Sequence, residues 1–472
     1  MRRWTTALPR SQEAATPAAR PWVEALALGV PLLVLTALSL YQLGALSLWR
    51  DEVASVVFAK GSLGDLVTIV GRDRDAVGLA NMATYYLILH FWLGLGESEA
   101  WLRLPSVAFG VASVIPVYFL ARRLAGWAAA AVAAAIFVLV PYVIHYNQEV
   151  RGYSLSMLVA GGLTWLLLIG VERRERVWPW LAYGVLAALG IYVHFFVALV
   201  VAAHGLWVLV ARQVPHWTAA LAALVPIGLA AVQLPFVILE FGGEQEWVPP
   251  LSGPVAAQAL VGLAGSAPLL LAVSLLLGFG LVRLSYDRHA WLLAGSVLVP
   301  IFGAVAISLV KPMFVGRYLI MVLPMLAVFM AWAVVTMRPR MLAVTSALVL
   351  GALLVVAVPT AYRDTHQQDW RAAGEWVAAQ AEPGDAMIAQ SGRRPLEYYV
   401  GVADGAVPRS TRVALALDDP GTDRVWVAVL GDQPPGHEAA VPARLSTAFE
   451  VVGRRPFGAR LSILLMLRRT AG

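Results

Sequence analysis

Long apolar runs alternate with short polar breaks over most of the chain, and the alternation stops after residue 361. A membrane-spanning helix needs roughly 20 apolar residues. Runs of that size predict spans at 24–46, 101–121, 126–144, 153–171, 178–194, 195–211, 217–239, 266–283, 290–310, 318–336 and 341–361. That makes about eleven α-helical spans. Charge decides a further apolar stretch, 79–95. If it does not cross, Arg2, Arg3, Arg122, Arg123, the run 172–176, Arg212, Arg283 to Arg288 and Arg338 to Arg340 all fall on one side. That sorting is what the positive-inside rule demands. If it crosses, the basic clusters split between two sides. So 47–100 reads as one long extracytoplasmic loop. It holds an amphipathic surface helix near 53–70 and a membrane-dipping helix near 79–95. The N-terminus lies inside and the C-terminus outside.

The region after 361 has another pattern. Pro383-Gly384-Asp385 marks a turn, 386–390, 424–430 and 461–467 read as strands, and 369–381 reads as a helix. The expected organisation is a cytoplasmic tail (1–23), a transmembrane catalytic domain (24–361) and a small extracytoplasmic α/β domain (362–472). The outer loops of the middle domain are 47–100, 145–152, 240–265 and 311–317. No small-residue cleavage site follows the first apolar run, so that run reads as an anchor and not as a removed signal peptide.

Composition agrees. The 472 residues are 60% hydrophobic and 14% charged, and mean hydropathy is +0.72. A soluble domain is about 45–50% apolar and about 25% charged. The net charge of +6 is mostly arginine in short loops, which is a topology signal and does not point to nucleic acid. The absence of cysteine excludes disulfide and thiolate chemistry. The Arg and Ala bias fits a GC-rich bacterial genome.

The informative residues fall in the predicted outer segments. Asp51 and Glu52, beside Arg50, sit where the first apolar run ends. Carboxylates at that boundary are costly to desolvate and so usually mark a site. Such a group acts as a general base on an acceptor hydroxyl or as a metal ligand; the plain alternative is a pair of helix-terminal surface acids. His145-Tyr146-Asn147-Gln148-Glu149-Val150-Arg151-Gly152-Tyr153 is dense in polar groups between two apolar runs, and places Glu149 and Arg151 on the face of Asp51. Lys311-Pro312-Met313-Phe314-Val315-Gly316-Arg317-Tyr318 is a short basic loop on the same face. Basic residues on the wrong side for topology need another reason, and a lipid phosphate supplies one: arginine as a bidentate donor, lysine as a point charge. The alternative is snorkelling towards headgroups. The acidic loop 242–247, with Trp247, and Arg72-Asp73-Arg74-Asp75 are weaker signals. His90, His145, His194 and His204, each next to apolar sequence, read as structural hydrogen-bonders.

No nucleotide-binding glycine loop, Walker motif, serine-hydrolase elbow or His/Cys metal cluster occurs in the sequence. Chemistry outside the membrane without ATP needs a donor already activated there. A polyprenyl-phosphate sugar meets that need.

Several ordered motifs carry a family likeness: Leu48-Trp49-Arg50-Asp51-Glu52; Thr84-Tyr85-Tyr86-Leu87-Ile88-Leu89-His90 with Ser98-Glu99 and Leu102-Arg103-Leu104-Pro105-Ser106; Tyr146-Asn147-Gln148-Glu149-Val150-Arg151-Gly152-Tyr153-Ser154-Leu155; and Phe314-Val315-Gly316-Arg317-Tyr318-Leu319. The chain resembles the membrane glycosyltransferases of the GT-C superfamily, in particular glycosyltransferase family 39. That group includes protein O-mannosyltransferases and the aminoarabinose transferase of lipid A. The likeness covers roughly the first 340 residues. Relatives often have a Pro-rich approach to the Tyr-Tyr-Leu helix, where this chain has Gly78-Leu79-Ala80-Asn81-Met82-Ala83.

The resemblance implies that Asp51 is the catalytic base, Glu52 its supporting partner and Glu149 a second acidic residue. It implies that Arg317 holds the donor phosphate, with Lys311, Arg151, Arg50 and Tyr318 as further candidates. It implies transfer of a sugar, mannose first, from a polyprenyl-phosphate donor with inversion. The acceptor would be an envelope glycan, a lipid or a secreted protein. No cofactor is implied with certainty; some members hold a divalent metal, for which Asp51 and Glu149 are the candidate ligands here. The expected location is the bacterial plasma membrane, with an extracytoplasmic active site. The rival classes are a transporter or lipid flippase, for which charges buried at mid-membrane would be expected, and a non-catalytic envelope-assembly protein.

Overall fold

The computed structural model describes residues 20–64, 66, 81–213, 215–231, 248–283, 288–382, 384–389, 393–403, 422–431 and 445–469. Most of the expected tail, the 72–75 run and the 242–247 loop lie outside these residues. The chain forms two compact units. One comprises Met1–Tyr41, Leu63–Ile88 and Arg103–Tyr362; the other comprises Gln42–Ser62, Leu89–Leu102 and Arg363–Gly472.

The first unit is helical. It opens with α1 (Pro21–Leu40); α2 (Arg50–Ala59) belongs to the second unit. Next come α3 (Ala83–Leu93) and α4 (Glu99–Ala112), each divided between the units. The series continues with α5 (Val114–Leu139), α6 (Pro141–Asn147), α7 (Tyr153–Glu172), α8 (Val177–Ile191), α9 (Val197–Val210) and α10 (Trp217–Ala231). After these come α11 (Gly253–Ala264), α12 (Ala267–Arg283) and α13 (Arg288–Val310). A 3-10 turn, Gly316–Val322, leads into α14 (Leu323–Thr336), and α15 (Arg340–Ala357) follows.

Among the described residues six helical stretches are long and apolar enough to cross a membrane; α11 and α12, bent by 88°, make a seventh if they are one span. The helices α8, α9 and α10 are apolar but shorter. The bend between α11 and α12 falls at Gly265, whose φ of 97° only glycine adopts freely. Gly126, at φ 84°, likewise breaks α5 into two helices, at the start of the expected 126–144 span.

Burial separates centre from rim. In the stretch Gly316–Thr336, 83% of the apolar window is buried, against 17% in α1 and in the stretch Arg340–Tyr362. A helix apolar all round and buried is a core element. The exposed apolar sides of α1 (Leu26, Val30, Leu33) and α15 (Leu348, Val355, Val356) suit lipid.

Charges mark one end of the α1–α5–α7 group. Glu24 of α1 accepts two hydrogen bonds from Arg122 at 2.8 and 2.7 Å, and Arg123 pairs with Glu172 of α7. At the opposite end of α1, Ser39 meets α6: Asn147 Nδ2 donates to Ser39 Oγ at 3.0 Å, and Gln148 Nε2 donates to the Ser39 carbonyl at 3.0 Å. Asn147 also accepts from Ser154 Oγ at 2.8 Å. This polar knot is packed against Gly110 of α4, where an added Cβ would lie 1.8 Å from Asn147 Oδ1. Gly110→Ala therefore costs about 2–4 kcal/mol through overpacking and the lost Asn147 bonds. Gly351→Ala, in α15 with nothing within 4 Å of an added Cβ, does not. Thermal melts of the two variants in detergent check the contrast; equal melting points would show that Asn147 can move aside without cost.

Three expectations need adjusting. The first apolar run was expected to be helical to 46, but α1 stops at Leu40. Gln42 has φ 56°, the left-handed region, and 41–46 turns instead of extending the helix. Asp51 and Glu52 thus sit in the first turn of the next helix and not at the end of the spanning one. The second is 240–265, expected as a loop, which contains the apolar helix α11. The third is 145–152, which begins as the last turns of α6, with Pro141 at its start.

The second unit carries a four-stranded sheet of order β1-β2-β4-β3. Here α16 is Trp370–Ala378, β1 Ala386–Ala389, α17 Arg393–Ala403, β2 Arg424–Leu430, β3 Phe449–Pro456 and β4 Leu461–Arg468. The pair β1/β2 is parallel; β2/β4 and β4/β3 are antiparallel. Its core is Ile388, Val425, Val427, Leu445, Phe449, Leu464 and Met466. The α/β expectation after 361 holds; β3 and α17 are additions to it.

Candidate active site

The predicted site residues fall in both units. Asp51, Glu52 and Arg50 lie in the second, at the start of α2. Trp49 caps this helix. Glu52, the third helical residue, returns its carboxylate to the Trp49 N–H at 3.2 Å. That is one half of a capping box, and the negative charge also suits a helix N-terminus. Glu52 is only 1% exposed, so its carboxylate is bound up in the fold of this turn. Asp51 is different: its side chain is 21% exposed and pairs with Arg50 at 3.5 Å. The two adjacent acids have separate surroundings, one capping and buried, one reachable.

The first unit brings together Glu149, Arg151, Arg317 and Tyr318. Glu149 is 5% exposed, and His145 Nε2 lies 3.4 Å from its Oε1. The other nitrogen of His145 is 3.0 Å from the Ala361 carbonyl, which fixes the ring. The Arg151 carbonyl accepts from Ser106 Oγ at 3.2 Å, and that hydroxyl is 2.9 Å from Tyr85 Oη. The Arg151 guanidinium stands 5.8 Å from the Tyr153 ring centre, and that of Arg317 stands 5.7 Å from Tyr318. His194 joins the two arms. Its ring centre is 6.0 Å from Tyr153 and 5.1 Å from Tyr318. The two rings over which Arg151 and Arg317 stand thus both pack against one buried histidine.

His194 sits in the linker 192–196, outside the apolar helices. Burial first, and then the positive charges of Arg151 and Arg317, push its pKa from 6.5 down to about 3. The ring is neutral, with Nδ1 accepting from the Phe196 N–H at 3.3 Å. Its folded pKa lies below its unfolded one. The stability it contributes is present above pH 6.5 and is lost as pH falls towards 3. Acidification from pH 7 to pH 5 costs on the order of 2 kcal/mol through this group. Melting curves at both pH values test this: His194→Gln should flatten the drop, and an unchanged drop would remove His194 as its source.

The other histidines behave as expected. His90 meets the Ala59 carbonyl at 2.8 Å, and His204 is held by Tyr183 and Thr164 at 3.0 and 3.2 Å. Lys311 follows α13 directly, and burial lowers its pKa. Among the described residues no group of three or more His, Cys, Asp or Glu side chains is placed to hold a metal ion. Asp51 and Glu149, the expected metal candidates, belong to different units. Sequence reasoning took His194 for a structural residue. Its link to both arginines is made only by packing, and no pattern in the sequence signals it.

Comparison with known proteins gives the setting. Residues 80–238 match the family described as dolichyl-phosphate-mannose-protein mannosyltransferase. No curated protein sequence matches the chain. Among solved structures, ArnT from Cupriavidus metallidurans bound to undecaprenyl phosphate is 14% identical, with a TM-score of 0.60, covering 95% of this chain and 98% of that one. The archaeal oligosaccharyltransferase AglB from Archaeoglobus fulgidus, in complex with an inhibitory peptide and a dolichol-phosphate, is 11% identical, with a TM-score of 0.53, covering 86% and 69%. The chain shares its fold with these two membrane enzymes, in line with the fold that the sequence motifs imply. The family match covers residues 80–238, and the likeness to ArnT is one of fold along nearly the whole chain.

Proposed function

We propose, for a chain with this fold and this family match, that it moves a sugar from a polyprenyl-phosphate donor to an acceptor hydroxyl on the extracytoplasmic face of a bacterial plasma membrane. Mannose is the first candidate sugar, because the family matched over 80–238 is named for it. The acceptor is an envelope glycan, a lipid or a secreted protein.

In this reading Asp51 takes the proton from the acceptor hydroxyl. The hydroxyl oxygen bonds to the anomeric carbon as the bond from that carbon to the phosphate oxygen breaks. Polyprenyl phosphate leaves with one more negative charge than it had as a phosphodiester. Arg317 and Arg151, with Lys311, Arg50 and Tyr318 as further donors, stabilise that charge more in the transition state than in the ground state. Glu149, oriented by His145, is the second acid. Glu52 acts through the backbone by holding the turn that carries Asp51.

The observation that carries the reading is that residues 80–238 match a family named for a dolichyl-phosphate sugar donor, with Arg151 and Arg317 as cations that an anionic leaving group would need. The likeness in fold to a protein seen with undecaprenyl phosphate supports that anion being a lipid phosphate. Incubating membranes that contain the protein with labelled polyprenyl-phosphate mannose tests this. Label should pass to an acceptor in the wild type and about 10²–10⁴-fold more slowly in Asp51→Asn. Equal transfer by both would remove Asp51 as the base.

A further inference from the structure

Residues 42–49, which lead to α2, have no regular structure. A buried irregular backbone must find partners outside itself. Within the second unit this segment finds them in residues far along the chain. The N–H of Leu48, a residue wholly buried, donates to Tyr399 Oη at 2.6 Å. The same hydroxyl donates to Glu99 Oε1 at 2.6 Å. Glu99 is gripped by Arg371, whose Nε lies at 3.1 Å, and Arg371 also donates to the Gly44 carbonyl at 3.1 Å. Ser47 Oγ accepts from the Trp370 N–H and donates to the Gln368 carbonyl, both at 3.1 Å. Trp49 stacks on His366 with ring centres 3.9 Å apart.

So Gly44, Ser47, Leu48 and Trp49 are each held by a residue between 366 and 399, with Glu99 behind Tyr399 and Arg371. Trp49 is the cap of α2, and Asp51 is two residues further on. Fixing 48 and 49 fixes the direction of the first turn. Tyr399 is itself locked: at Gly374 of α16, an added Cβ would lie 2.4 Å from Tyr399 Cβ. Burial first, and then Glu99, raise the pKa of Tyr399, so the phenol stays protonated and keeps donating.

We infer that the C-terminal α/β segment serves as a clamp on 44–49, and that Tyr399, with Glu99 and Arg371 behind it, is a positioning residue for Asp51. The inference rests on the proposed role of Asp51. It assigns the C-terminal segment a part in setting the geometry of the reaction, with no contact to donor or acceptor required. A misplacement of about 1 Å at a reacting group can cost as much as 10²-fold in rate, so a modest slackening of this turn is enough to matter.

The test uses the full chain in membranes and in detergent, with Tyr399→Phe, Asp51→Asn and the double variant. Hydrogen exchange of 44–52 needs no donor and decides the clamp by itself. It should speed up about tenfold in Tyr399→Phe while the β-sheet amides stay protected. Unchanged exchange there overturns the inference. With polyprenyl-phosphate mannose as donor, Tyr399→Phe should lower kcat about tenfold and leave donor KM within about twofold. In the Asp51→Asn background the second substitution should add nothing. A further loss of the same size in that background overturns positioning through Asp51. Should Tyr399→Phe fail to fold, Arg371→Gln takes its place and must loosen 44–52 and slow transfer, with Arg371→Lys restoring part of both. Full turnover by Asp51→Asn, with 44–52 loosened in Tyr399→Phe, would sink the base assignment and leave the clamp standing.

Discussion

Asp51→Asn keeps the fold and lowers transfer about 10²–10⁴-fold, the range a positioned general base supplies. The substitution is close to isosteric. It leaves the capping bond from Trp49 to Glu52 untouched, because the adjacent acid makes it. The ion pair with Arg50, at 3.5 Å and partly exposed, is worth little to stability. What is lost is the ability to take a proton in the transition state. The loss therefore falls on kcat, with donor KM nearly unchanged. Glu52→Gln behaves in the opposite manner. It weakens a buried cap, at about 1 kcal/mol, and changes turnover only as far as the turn shifts. Initial rates and thermal melts on the two variants separate the roles; equal kinetic losses would mean that the two acids act as one unit.

The second large effect is at Arg317. Arg317→Gln lowers kcat by about 10²–10³-fold, the scale seen when one donor to a developing oxyanion is removed. The leaving phosphate gains charge as the sugar departs, so the loss in kcat exceeds the rise in donor KM. Arg317→Lys recovers only part, because an ammonium offers a point charge where a guanidinium offers a planar pair of donors. Rates for the three proteins across donor concentrations provide the check. A pure KM effect would assign Arg317 to ground-state binding alone. Gly316 bears on this result: an added Cβ there would meet the Ala259 carbonyl at 2.8 Å and the Tyr142 hydroxyl at 3.0 Å, so the backbone beside Arg317 has no room to relocate.

Much of this was legible in the sequence, for physical reasons. A helix crossing lipid must be apolar for most of its length, so the runs at 153–171 and 290–310 correspond to α7 and α13 within a few residues. The largely buried strand β2 reads as an apolar run after Arg424 and is found at 424–430 as expected. β3 was not legible, because an edge strand such as Phe449–Pro456 carries Glu450, Arg454 and Arg455 and is mostly exposed. The break at Gln42 was hidden because 43–46 is as apolar as the helix before it. In the site, Glu149, Arg151 and Arg317 stood out as charges in short linkers between apolar runs. His194 and the Glu99–Tyr399–Leu48 chain did not. Their meaning comes from residues brought together across as many as 351 positions of sequence, and no local pattern encodes that.

The central claim is that a lipid-phosphate sugar is the donor. The most direct measurement follows both products from labelled polyprenyl-phosphate mannose in membranes with and without the wild-type protein. The account predicts that sugar leaves the lipid only when the protein is present, that free polyprenyl phosphate appears in equal amount, and that Arg317→Gln slows both about 10²–10³-fold. No release from this donor, or from polyprenyl-phosphate donors bearing other sugars, would contradict it.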